Sequence, residues 1–153
     1  MDNELTLLEM FTRLCAAAGL ALVLGCEREF RRKPAGLRSH MLVALGAAAF
    51  LLVGLEILFA TGEGDPSARI DPTRIVEGVI GGIGFLGAGS IIRSGTNVQG
   101  ITTGASIWLA GAIGIAAGVG DLALAAMVTL LALIIMTVLG AIERALPWHK
   151  RDD

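Results

Sequence analysis

Five apolar stretches alternate with short polar links along the chain, at about residues 5–25, 41–60, 75–92, 101–118 and 122–142. Each is near the ~20 residues with which a helix crosses a bilayer core of about 30 Å. The links are 26–40, 61–74, 93–100 and a tight turn at 119–121, and a tail starts at Glu143. Local signals agree with this division. Asp71 before Pro72 reads as an N-cap with proline at the first helical position, and Asp121 stands in the same way ahead of the fifth stretch. Pro147 marks its end.

The third stretch is the most unusual. It holds Glu77 and the glycines Gly78, Gly81, Gly82, Gly84, Gly87 and Gly89. Glycine at that density costs a water-exposed helix about 1 kcal/mol per residue against alanine. In lipid, small residues instead let helix backbones approach closely, as the Gly78/Gly82, Gly100/Gly104 and Gly114/Gly118 pairs would. The third stretch is therefore expected to be the central, closely packed helix of an all-α bundle. A G-x-G-x-x-G match at residues 82–87 lies inside this stretch. It lacks the preceding strand and the acid about twenty residues on that a dinucleotide site needs.

Composition sharpens the picture. The 153 residues are 54% hydrophobic and 17% charged, and the mean hydropathy is +0.74, which fits a polytopic membrane protein. The net charge of −2 argues against a nucleic-acid partner. Orientation follows from Lys and Arg in the links. Arg28, Arg31, Arg32, Lys33, Arg38, Arg93, Arg144, Lys150 and Arg151 fall on one side, against Arg69 and Arg74 on the other. The expectation is five spans with the N-terminus outside and the C-terminus inside. Residues 1–146 would form the membrane domain and 147–153 a short cytoplasmic tail. No cation precedes Arg13, so the first stretch lacks a signal peptide's basic start and is expected to be retained.

Candidate chemistry is sparse. Cys15 and Cys26 form no C-x-x-C and read as buried, inert thiols; His40 and His149 are solitary. No nucleophile–base pair, metal set or phosphate loop stands in its required context, so no enzyme is expected. Charges inside spans are costly and usually functional. Arg13, Glu56 and Glu77 all fall in the outer half of the membrane on this topology. They suggest a polar cluster there, set against the plainer readings that Glu56 snorkels and Arg13 pairs with Glu9. Glu77 with Asp71 or Glu56 are the candidate Mg2+ ligands, although Arg13 and Arg74 nearby oppose a dedicated cation site. No bound cofactor is expected. The first link reads as a topology anchor at anionic headgroups, or as a partner surface held by Glu27 and Arg31 four residues apart.

These residues together resemble the N-terminal membrane domain of the MgtC/SapB family. The matching positions are Arg13-Leu14, Gly25 with Glu27-Arg28-Glu29, Ala35-Gly36-Leu37-Arg38, His40-Met41-Leu42-Val43 and Asp71-Pro72-Thr73-Arg74. They continue with GIGFLGAG at 82–89, then Asn97-Val98, Gly100, Thr102, Thr103, Ser106 and Trp108. Ser39, Gln99 and Gly104 depart from the family's usual threonine, arginine and alanine, and Glu77-Gly78 stands where neutral residues are more usual. Longer members add a soluble cytoplasmic domain, so this chain is expected to correspond to the membrane domain alone.

The resemblance implies a bacterial inner-membrane protein linked to growth under magnesium limitation and, in pathogens, to virulence. It implies a regulator of other membrane proteins, with a Mg2+ or other cation transporter component as the alternative. Arg13, Glu27, Arg28, Arg38, Asp71, Arg74 and Asn97 carry over by position; Arg31 and Glu77 join them from the reading above. The expected partners are the lipid bilayer and either a second copy or another inner-membrane protein.

Overall fold

The computed structural model describes residues 5–62, 71 and 73–146, with the backbone alone at 61, 62 and 144. The expected tail, Pro72, Pro147 and most of the second link, Arg69 included, lie outside the described residues. The described chain is helical apart from one small hairpin. Its elements are α1 (Leu7–Phe30), α2 (Leu37–Gly62), α3 (Thr73–Gly89), β1 (Ile92–Ser94), β2 (Asn97–Gln99), α4 (Ile101–Val119), α5 (Leu122–Ile134) and α6 (Gly140–Ala145). A π-helical turn over Ile135–Leu139 joins α5 to α6 without a break. Among the described residues, four helices are long and apolar enough to cross a membrane: Leu7–Phe30, Leu37–Ala60, Ile101–Val119 and Leu122–Glu143. α3, at 17 residues, is shorter.

Three sequence expectations change. The central helix is α4, not the third stretch. α4 packs against α1, α2, α3 and α5, whereas α3 packs mainly on α4 and buries only Ile83 and Gly87. Most α3 glycines, Gly78, Gly81, Gly82, Gly84 and Gly89, have open space where a Cβ would point. On α3 only Gly87 is closely packed, against the Gly104 backbone of α4, and the other close approaches fall to Gly114 and Gly118. A Cβ on Gly114 would lie 2.2 Å from the Ala44 carbonyl oxygen, and one on Gly118 would lie 3.0 Å from the Ala48 Cα. A small-xxx-small face on α4 thus meets another on α2, as membrane helices do to bring backbones together. Ala17, Ala21, Leu24, Ala44, Ala48, Ile113, Ala117 and Ala125 complete a fully buried apolar core.

The second change is the first link. α1 runs on through the charged residues to Phe30, and only 31–36 remain as a loop. α1 ends in a Schellman turn: the Lys33 N–H donates to the Arg28 carbonyl and the Arg32 N–H to that of Glu29. Arg32 occupies its left-handed position with φ 52°. The polar link after α3 is a hairpin whose strands pair Arg93 with Val98 and Ser94 with Asn97. Gly95, with φ 62°, takes the first position of its two-residue turn, where a type II′ turn needs glycine. Cys15 is exposed and Cys26 half-buried, so neither is the buried thiol expected.

Candidate functional site

Buried polar side chains gather at one end of the bundle, where α1 hands over to α2. Glu27, Arg28 and His40 are all buried there, with Thr103 and Ser106 of α4. The Glu27 carboxylate is shared by two guanidiniums. Oε2 accepts from Arg28 Nε at 2.6 Å, and Oε1 pairs with Arg31 one helical turn on. This pairing is what lets α1 continue through a charged run. Each charge taken from water meets an opposite one, without which burial would be costly. Two cations against one anion leave the cluster with a net positive charge. Arg28 Nη1 is buried and has no hydrogen-bond partner among the described residues.

Arg31 also crosses the bundle. Its Nη2 donates to the Thr137 carbonyl oxygen at 3.5 Å, inside the π turn. The Thr137 hydroxyl bonds back to the Leu133 carbonyl at 2.6 Å. On the other side, the Glu29 carboxylate accepts the Leu37 N–H at 3.3 Å and so ties the loop to the start of α2. Gly25 is required by this crossing. A Cβ on Gly25 would sit 2.7 Å from the Leu37 Cα, and one on Gly36 would push aside the exposed Glu29 carboxylate.

His40 links α2 to α4. Its Nδ1 lies 2.8 Å from the Gly36 carbonyl oxygen and its Nε2 lies 3.1 Å from Ser106 Oγ. Ser106 Oγ is also 2.8 Å from the Thr103 carbonyl oxygen. Around this buried core Phe30 is 87% exposed, and Arg32, Lys33, Arg38, Arg93 and Asn97 are exposed as well. The result is a charged end with a cationic rim.

The outer charges behave differently from expectation. Arg13 meets neither Glu56 nor Glu77, and no ion pair joins these three among the described residues. Its Nη1 instead donates to the Gly118 and Val119 carbonyl oxygens, both at 2.9 Å. These are unsatisfied carbonyls at the C-terminus of α4, where the helix dipole also favours a cation. Gly120, with φ 100°, leaves room for the guanidinium, since a Cβ there would come within 2.9 Å of Arg13 Cζ. Glu9 is engaged in a capping box with Thr6. Glu56 and Glu77 are exposed on α2 and α3.

Asp71 Oδ1 accepts from the Thr73 N–H at 2.9 Å and from the Thr73 hydroxyl at 2.6 Å, ahead of α3, and Arg74 is exposed. No group of three or more His, Cys, Asp or Glu suited to a metal occurs among the described residues, so Asp71, Glu56 and Glu77 do not form one.

Sequence reasoning missed His40, Ser106 and Thr137 as site residues. His40 was visible as a lone polar residue near the start of an apolar stretch; its partner lies 66 positions away.

Comparison with known proteins agrees with this picture. The sequence profile of the MgtC family matches residues 14–145. Protein MgtC of Brucella abortus is 37% identical over 140 residues, which cover 90% of this chain and 55% of that protein. Protein MgtC of Salmonella typhimurium is 38% identical over 133 residues, 86% of this chain and 53% of its own length. A protein of Escherichia coli K12 described as "Putative magnesium transporter YhiD" is 41% identical over 110 residues, 72% of this chain and 51% of its length. No solved structure matches. The chain spans about half the length of these curated relatives. The apolar helices and the extent of these matches identify a multi-pass membrane protein, and the chain belongs to the MgtC family.

Proposed function

We propose that the protein is a non-enzymatic regulator in the bacterial inner membrane, tied to Mg2+ homeostasis and adaptation to low Mg2+, and to virulence where the host cell imposes that limitation. It crosses the membrane five times, N-terminus outside and C-terminus inside. The fifth span is α3, which at about 25 Å comes close to the hydrocarbon thickness and points Phe85 and Leu86 outward. The cationic rim around Phe30 then faces the cytoplasm and contacts another inner-membrane protein or a second copy.

The observation that carries regulation over conduction is the filling of the interior. Between α1, α2, α4 and α5 the core is close-packed alanine, leucine and isoleucine, and its buried charges stay at one end. A hydrated Mg2+ ion, which sheds water reluctantly, needs a wide polar path. The alternative, a Mg2+ transporter or channel component, is favoured by the name of the E. coli relative.

Mg2+ uptake into proteoliposomes decides between them. The expected result is uptake no faster than in protein-free vesicles, for the wild type and for Glu77→Gln alike. Uptake that needs the protein and falls in Glu77→Gln overturns the regulatory reading.

A further inference from the structure

Between α2 and α3 lies an open groove of about 370 Å3, lined by Leu42, Phe50, Arg74, Gly78, Val79 and Gly82 among others. It is apolar along its length, and Arg74 is the one charged residue on its wall among the described residues. α2 and α3 meet less closely than either meets α4: Ile75 packs on Gly54, and Ala47 and Ile83 share an apolar cluster. Gly78 and Gly82 have no atom within 4 Å of an added Cβ, so the missing side chains leave the groove unfilled.

We propose that this groove is a binding site for one phospholipid, with the phosphate on Arg74 and an acyl chain lying along Gly78 and Gly82. Two observations select that occupant. From Arg74 to Ile83 the groove follows α3 for about 13 Å, close to the ~15 Å depth of one leaflet. Arg74, the groove's one charged residue among those described, sits at the end of α3 that meets the interface, where a phosphate oxygen accepts a charge-assisted hydrogen bond. The acids nearby do not block it: Asp71 is committed to Thr73, and Glu77 is not on the groove wall. An unfilled groove would forfeit dispersion contacts along both helices; an acyl chain restores them.

The site rests on α3 being embedded as the fifth span. Protection of a cysteine placed at position 84 from aqueous maleimide, in a variant lacking Cys15 and Cys26, tests that embedding separately. For the site itself, delipidated protein in detergent is titrated with phosphatidylglycerol, or with diacylglycerol of the same chains, and read by native mass spectrometry. One phosphatidylglycerol per chain is expected, held about tenfold more tightly than diacylglycerol, the worth of one charged contact. Arg74→Gln removes that preference. Gly78→Leu and Gly82→Leu, which fill the groove, lose both lipids, while Gly84→Leu, off the groove wall, binds as wild type. Unchanged binding in both groove-filling variants overturns the proposal, as does an unchanged preference in Arg74→Gln. A lipid-free dimer that Gly82→Leu dissociates overturns it too, since the occupant would then be a second copy. If position 84 is labelled freely, the five-span reading and the lipid site both fall; if it is protected and no lipid is retained, only the site falls.

Discussion

His40 on α2 and Ser106 on α4 share a hydrogen bond of 3.1 Å between side chains that are both buried. The carbonyl of Gly36 accepts only, so His40 Nδ1 carries a proton. In a neutral ring Nε2 then accepts from the Ser106 hydroxyl. That single proton would otherwise go to the Thr103 carbonyl, 2.8 Å away. Ser106→Ala removes the interhelical bond and leaves Nε2 buried without a partner, which costs about 1–3 kcal/mol. Denaturant unfolding in detergent reads that loss. A change below about 0.5 kcal/mol would show that the bond does not hold α2 to α4.

Arg13 and Glu77 should separate cleanly when mutated. Arg13→Gln removes the charged bonds to Gly118 and Val119, with an expected loss of about 1.5–3 kcal/mol. Glu77→Gln alters an exposed side chain and should change stability by less than about 0.5 kcal/mol. Thermal unfolding of the two variants side by side is the check. Equal losses would mean that the outer charges act together after all.

Glu27 is the hub of the buried cluster. Glu27→Gln leaves Arg28 and Arg31 without the carboxylate between them, and breaking a buried pair in this way costs about 3–5 kcal/mol. The expected result is a sharp fall in monodisperse protein recovered from membranes. Glu29→Gln, at an exposed position, should keep most of it.

Asp71 gives the start of α3 a pH dependence. The hydroxyl of Thr73, and then its backbone N–H, hold the Asp71 carboxyl below the usual carboxylate range. A lowered folded-state value means that the cap is fully present above the ordinary carboxylate pKa. It is lost as pH falls through the lowered value. Amide exchange in the first turn of α3 should therefore gain protection as the pH rises out of the acid range. In Asp71→Asn, which retains an oxygen acceptor, that dependence should disappear; its persistence would assign the effect to another group.

Hydropathy located the long apolar stretches, and Asp121 announced its cap correctly, since its carboxylate accepts the Leu124 N–H at 2.9 Å. Which helix sits in the middle was not legible. Lipid is as apolar as a protein interior, so Gly82, which has open space beside it, and Gly114, which touches α2, have the same signature. The charged end of α1 read as a loop because a sliding window counts charges without pairing them; Glu27 and Arg31 pair across one turn. Arg13 was sought among acids, but its partners are backbone carbonyls, which every residue carries. The hairpin at Gly95 was within reach, because Gly-Thr between Ile-Arg-Ser and Asn-Val-Gln is a two-residue turn signal.

The π turn that receives Arg31 sets a direction as well as a bond. It adds about one residue to a helix that advances roughly 100° per residue. Gly140–Ala145 therefore presents its faces about a quarter-turn away from where an unbroken α5 would have put them. Arg31, on the first helix, grips the peptide at which that phase change occurs. The first helix thus touches the point at which the direction of Gly140–Ala145 is set.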